Sequence, residues 1–247
     1  MSTTTAELDE RTTAAEAAAP AWRAASAVTR AAWLRAAADA LDAHADELVP
    51  LADAETRLGE TRLRGEVART SGQLRLFAGV VEEGAYLEAI VDDADAAATP
   101  PRPELRRMLT GVGPVAVFSA SNFPFAFSVA GGDTASALAA GNPVIVKAHS
   151  GHVRLSRRTA EIVAAALVDA GAPVGSLGLV EGREAGEALV GHPSIQAVGF
   201  TGSVSGGRAL FALAAGRPDP IPFYGELGSV NPVLLTAGAV AARGPAL

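Results

Sequence analysis

Four short stretches hold the side chains able to do chemistry. "FYGELGSVNP" (223–232) sets Glu226 between an aromatic-Gly pair and a Leu-Gly pair, as a catalytic carboxylate would be set. By itself such an acid can equally flank a helix or join an ion pair. "SASNFPF" (119–125) places Asn122 ahead of Phe-Pro, where an Asn serves as a turn or cap residue. "GNPVIVKAHS" (141–150) ends an apolar run on Lys147, a solvated strand end in the simplest case. "GFTGSVSGG" (199–207) puts Gly199, Gly202, Gly206 and Gly207 between an apolar run and the helical "RALFALAA". A Gly-rich strand-to-helix turn can seat a pyrophosphate, because free helix N-terminal amides and the helix dipole favour an anion. It is not a clean G-x-G-x-x-G.

These residues need a scaffold, and the composition supplies one. The chain has 247 residues and is 49% apolar, enough for a real core in one large or two small domains. Aromatic residues are only 5%, which favours closely packed helices over an aromatic-rich sandwich. A net charge of −7 excludes a nucleic-acid binder, which needs a basic face. A nucleotide cofactor remains allowed, since backbone donors and one or two cations hold a phosphate. There is no cysteine, hence no disulfide, thiolate metal site or cysteine nucleophile within these residues, and no metal is expected. The N-terminus lacks a secretory apolar region, and no window approaches about 20 uninterrupted apolar residues. A cytoplasmic protein with no membrane partner is the expectation.

The positioning elements follow from pattern. Residues 1–20 read as a loose arm leading into a helix. From Pro20 to Leu48 the apolar residues fall at helical spacing, with Leu34, Ala37, Leu41, Ala45 and Leu48 on one face. Helices near 50–57 and 59–84 complete an N-terminal helical part, residues 1–91. "DDADAAATPPRPE" (92–104) lies in a loop or edge hairpin spanning 92–110, since adjacent prolines fit neither a helix nor a central strand. From 111 to 247 short apolar runs alternate with helices. Runs at 113–121, 141–150, 195–203 and 231–236 ("NPVLLT"), with a short strand near 176–182, read as strands; helices fall near 125–140, 152–170 and 184–191. Such alternation means βαβ units and a parallel, Rossmann-like sheet flanked by helices, with ligands at the strands' carboxyl ends.

In their order and separations the four stretches resemble the aldehyde dehydrogenase superfamily, over about Gly111 to Ala242. The resemblance implies roles residue by residue. Asn122 would donate its carboxamide to the oxyanion of a tetrahedral intermediate, a neutral donor aimed at developing charge. Phe118, Ser119, Ala120 and Ser121 would run along the nicotinamide and its ribose. Lys147 would bind the adenosine ribose hydroxyls. Ser150 stands where many NAD-using members carry a Glu, so a 2′-phosphate is not repelled, and NADP is expected to bind at least as well as NAD. His149, His152 and Arg154 would be additional phosphate partners, or else plain polar residues at a helix start. Thr201, Gly202 and Ser203, with Gly207, would seat the pyrophosphate. Glu226 would activate water for thioester hydrolysis, with Leu227 on the nicotinamide side. Ser229 replaces a Gly that many members carry.

The resemblance also implies a cysteine nucleophile that would fall beyond Leu247, with most of the catalytic domain and the strand that makes full-length members homo-oligomers. The chain thus reads as the cofactor-binding part of an aldehyde dehydrogenase, inactive on aldehydes by itself. "SASNFPF" and the stretches around it are most similar to members that oxidise 2-oxoglutarate semialdehyde to 2-oxoglutarate. Two other readings stay open: a non-catalytic NADP(H)-binding or regulatory fragment, and one half of a split enzyme.

Overall fold

A computed structural model describes residues 2–228 and 230–244. Its centre is a five-stranded, all-parallel sheet in the order β5-β4-β3-β6-β7. The strands are β3 (Val115–Phe118), β4 (Val144–Lys147), β5 (Leu177–Val180), β6 (Ala197–Thr201) and β7 (Phe223–Glu226). Their side chains alternate between faces, as strand geometry requires. Val115, Val117, Val144 and Val146 enter one core with Trp22, Leu34, Leu74 and Leu167. Ala116, Phe118, Ile145 and Val198 enter the other with Leu8, Leu189 and Leu210. The sheet is therefore buried on both faces by helices, the usual condition of a parallel sheet.

The first core is closed by α2 (Ala27–Ala43), α3 (Ala45–Thr56), α4 (Glu60–Glu83), α5 (Gly132–Ala139) and α6 (Val153–Asp169). The second is closed by α1 (Thr5–Ala24), α7 (Arg183–Gly191) and α8 (Val204–Ala215). A short antiparallel ribbon of β1 (Ile90–Asp92) and β2 (Leu105–Arg107) projects with all six residues exposed. A last helix, α9 (Ala237–Arg243), begins at the N-cap Thr236. Among the described residues no helix is long and apolar enough to cross a membrane.

Four local expectations are corrected. The N-terminus is not a loose arm. Thr4 caps α1 by accepting from the Glu7 amide at 3.3 Å, while the Glu7 carboxylate accepts from the Thr4 amide at 2.8 Å. This reciprocal capping box starts a helix whose Leu8, Thr12, Ala15, Ala18, Ala19 and Trp22 are buried. The continuous helix expected over 20–48 is broken twice. Ser26 accepts from the Thr29 amide and starts α2, and His44 leaves helical geometry between α2 and α3. Leu34, Ala37, Leu41 and Leu48 are nonetheless all buried, as their spacing required.

The third correction concerns "NPVLLT". It is not a strand. β7 lies earlier, at Phe223–Glu226, and pairs along β6 from Val198↔Phe223 to Thr201↔Glu226. With that edge position filled, 231–236 have no regular secondary structure, and Val233 and Leu234 are largely exposed. The helix expected over 125–140 also begins late, at Gly132, for a reason given below.

Candidate functional site

The register lines up the chemistry. Phe118 pairs with Lys147 on one side and with Phe200 on the other, and Thr201 pairs with Glu226. All five residues stand at the carboxyl ends of adjacent parallel strands, where an open α/β sheet binds its ligands. A pocket of about 370 Å³ opens there, lined by Phe118, Lys147, Phe200, Ser203, Ser205 and Gly206 among others. Close approach is built in. A Cβ placed on Gly186 of α7 would meet Lys147 Cγ and Phe118 Cε1, each at 3.1 Å. One on Gly202 would meet the Phe200 ring at 2.8 Å.

The chemistry of the pocket suits an anionic nucleotide. Burial holds the Lys147 pKa below the ordinary lysine value. Ser203 caps α8 by accepting from the Gly206 amide at 3.2 Å, so the positive end of that helix faces the pocket. Gly207 is buried and abuts Leu227, whose Cδ2 would lie 2.0 Å from an added Cβ. A larger residue at 207 would displace the Leu227 side chain. The Gly202 amide donates to the Glu226 carbonyl at 3.0 Å, tying the glycine turn to the Glu226 backbone.

The other sequence-selected residues are placed as follows. Ser119 and Ala120 are buried just beyond β3, with the Ser119 amide on the Lys147 carbonyl at 3.1 Å. Ser121 and Asn122 are exposed on the loop that follows, and Ser150 is exposed after β4. Glu226 is exposed, and Thr201 and Leu227 are half-buried. Ser229 lies outside the described residues. His152 is turned inward: it is fully buried, with Nε2 at 2.9 Å from the Ala120 carbonyl and Nδ1 at 3.2 Å from Ser156 Oγ. It braces the loop after β3 and does not face a phosphate. The start of α6 is occupied too. The Glu55 carboxylate accepts from the Arg154 and Leu155 amides at 3.1 and 2.9 Å. Of the two helix starts after β4 and β6, that of α8 is the one left for an anion.

Glu66 was not singled out by sequence reasoning. Its Oε1 accepts from the Phe125 and Ala126 amides at 2.8 and 3.0 Å, deep in the protein. Arg62, one turn earlier on α4, donates to the Asn122 carbonyl at 2.6 Å and lies over the Phe123 ring. Arg69 lies over both Phe123 and Phe127. Residues 62, 66 and 69 share a face of α4, and that face clamps the loop carrying Asn122. The clamp explains the late start of α5: with the amides of 125 and 126 committed to Glu66, the chain turns through 127–131 before winding. The only sequence signal was an acid at an otherwise apolar helical position among Leu63, Val67, Thr70 and Leu74.

Asp133, in the first turn of α5, was also not anticipated. Burial, and then the charge of Glu226, raise its pKa above the ordinary aspartate value. Because the folded state holds that proton more tightly than the unfolded chain, the ionised carboxylate costs stability as pH rises above the unfolded value of about 3.9. Asp133→Asn is therefore expected to be more stable than the parent at pH 7, with the gain fading as pH falls toward 4. Urea denaturation at the two pH values measures this. A variant no more stable at pH 7 would mean that the α5 dipole outweighs the burial.

The fold is an α/β layer structure with a pocket at the carboxyl edge of a parallel sheet. Family comparison is consistent with this. The model of the aldehyde dehydrogenase family matches residues 1–242, and the chain belongs to that family. It is 56% identical over 195 residues to alpha-ketoglutaric semialdehyde dehydrogenase 2 of Azospirillum brasilense, covering 78% of this chain and 37% of that protein. It is 52% identical over 190 residues to the alpha-ketoglutaric semialdehyde dehydrogenase of Acinetobacter baylyi, covering 76% of this chain and 36% of that one. The chain thus spans well under half the length of these curated relatives. A solved structure of lactaldehyde dehydrogenase superposes with a TM-score of 0.78 at 29% identity, over 92% of this chain and 45% of the other.

Proposed function

We propose that this chain is the NADP-binding part of an aldehyde dehydrogenase acting on 2-oxoglutarate semialdehyde, forming 2-oxoglutarate. The carrying observation is the pocket in which Phe118, Lys147, Ser203 and Gly206 converge at the ends of β3, β4 and β6. Its donor set, an ammonium group and the free amides of a helix start, fits a dinucleotide pyrophosphate and ribose. Lys147 would hold the adenosine ribose, Thr201, Gly202 and Ser203 with Gly207 the pyrophosphate, and Phe118 to Ser121 with Leu227 the nicotinamide side. The bound nicotinamide would supply a hydride acceptor. Asn122 would donate from its carboxamide to a developing oxyanion, and Glu226, exposed at the strand ends, would take a proton from water. The exposure of Ser150, where an acid would repel a 2′-phosphate, supports NADP binding at least as tight as NAD binding. The substrate assignment rests on the names of the relatives at 56% and 52% identity.

A second reading is favoured by one observation: the 247 residues contain no cysteine. Taken alone, a unit that binds the cofactor without the thiol would sense NADP(H), or would serve a thiol supplied from outside these residues.

Calorimetric titration with NADP⁺ and NAD⁺ tests the shared premise. Lys147→Ala is expected to weaken NADP⁺ binding by about ten-fold, the worth of one hydrogen bond to a charged group. A folded parent chain that binds neither nucleotide would sink the reading. A clear NAD⁺ preference would sink its NADP part.

A further inference from the structure

Four arginines stand on α4: Arg62, Arg64, Arg69 and Arg75. Two are matched by acids. Arg64 pairs with Asp46 and Glu60, and Arg75 with Asp39 and Asp42. The other two turn to the loop that carries Asn122. Arg62 donates to the Asn122 carbonyl. Arg69 makes no hydrogen bond or ion pair among the described residues. Its guanidinium lies over the Phe123 and Phe127 rings, 5.7 and 5.4 Å from their centroids. Glu66, the acid between the two arginines, is buried and taken up by the Phe125 and Ala126 amides. Gly65 and Gly72, four residues before Arg69 and three after, share its side of the helix. A Cβ on either would meet nothing within 4 Å, so the space beside the guanidinium is open.

We infer that Arg69 binds the carboxylate of the oxo-acid substrate while the aldehyde end lies at Asn122, and so selects aldehydes that carry an acid at the far end. This rests on the substrate reading above. That substrate is a five-carbon chain with the carboxylate at one end and the aldehyde at the other, about 5 Å apart when extended at ordinary bond lengths. The group that holds one end must then stand within a side chain's reach of the group that holds the other. Arg69 rests on Phe123, the residue next to Asn122. A guanidinium offers parallel N–H donors that match a carboxylate. The rings take its face and leave those donors at its edges free. They also fix it before a ligand arrives, which lowers the ordering cost of binding. Arg62 instead positions the loop, through the Asn122 carbonyl.

The test is calorimetric titration of the full chain with 2-oxoglutarate, the product, which keeps both ends, and with 2-oxopentanoate, which keeps only the oxo-acid end. NADP⁺ is titrated alongside. Arg69→Ala and Arg69→Met are each expected to weaken both acids by about ten-fold or more, the worth of charge-assisted hydrogen bonds, and to leave NADP⁺ within about two-fold. Methionine still packs on the rings, so it separates charge from packing. Arg75→Ala, on the same helix but paired with acids, should leave both acids within about two-fold. Unchanged 2-oxoglutarate binding in Arg69→Ala, full binding in Arg69→Met, an equal loss in Arg75→Ala, or a loss confined to 2-oxoglutarate would overturn the assignment and leave the substrate reading intact. A parent that binds NADP⁺ but not 2-oxoglutarate would overturn the substrate reading and the assignment together, and one that binds neither would overturn the cofactor reading as well. Arg69 is exposed, so its variants keep the fold, and circular dichroism confirms it.

Discussion

Replacing Glu66 with alanine is expected to cost about 3 kcal/mol of folding stability, although Glu66 lies in no cofactor pocket. Its carboxylate is the acceptor for two amides, Phe125 and Ala126, on residues that are themselves 2% and 1% exposed. Hydrogen bonds to a charged acceptor contribute about 1.5–3 kcal/mol each, and stranding a buried donor costs about 1–3 kcal/mol. Alanine leaves both amides unpaired and opens a void beside them. Glutamine keeps an oxygen in the place of Oε1 and should cost much less. It also replaces Oε2, which is buried without a hydrogen-bond partner. Denaturant midpoints for the two variants measure the difference. Hydrogen exchange at Phe125 and Ala126 locates it, with protection lost in Glu66→Ala and kept in Glu66→Gln. If the alanine variant matched the parent in midpoint, the Glu66 part of the clamp would be incidental, and Asn122 would owe its position to Arg62, Arg69 and the Phe123–Phe127 aromatic contact.

That clamp marks the limit of what the sequence discloses. The parallel sheet was legible because β3, β4 and β6 are buried on both faces and read as unbroken apolar runs between turn residues. Lys147, Phe118 and the glycine turn were legible as a group because strand ends come together in any such sheet. β7 was not. "FYGE" is a short edge strand, its last three residues exposed, so it carries no apolar run. The more apolar "NPVLLT" reads as the strand instead, yet among the described residues it joins neither sheet. Glu55 and Glu66 were illegible for a different reason. Each is an acid whose partners are backbone amides about 60 or 100 residues away, and nothing local distinguishes it from a solvated helix acid. The capping box of α1 was local and visible as Thr-x-x-Glu. Its setting masks it, because alanine-rich, polar sequence at a terminus resembles a disordered arm.

The docking of α1 on the sheet sets the second large effect. Gly175→Ala is expected to cost about 2–5 kcal/mol. Gly175 sits at φ +91°, and its missing Cβ would lie 2.3 Å from the Ala14 carbonyl oxygen of α1. The left-handed backbone disfavours alanine by about 1–2 kcal/mol. Overpacking adds about 1–3 kcal/mol, because the obstacle is helix backbone and not the end of a flexible side chain. The strain should be relieved by lifting α1 from the sheet. The anchors at stake are Trp22 Nε1 on Ser176 Oγ at 2.7 Å and the Thr3 amide on the Glu181 carbonyl at 2.9 Å. Trypsin reads this directly, since Arg11 lies within α1 and is protected only while the helix is docked. Slow cleavage of the parent at Arg11, rapid cleavage of Gly175→Ala and a lower unfolding midpoint would together make α1 a support of β5, and through β5 of the strand that ends in Lys147. A parent cleaved at Arg11 as fast as the variant would restore the loose arm. A midpoint loss without new cleavage would confine the strain to the turn before β5, and α1 would then contribute nothing to the placement of Lys147.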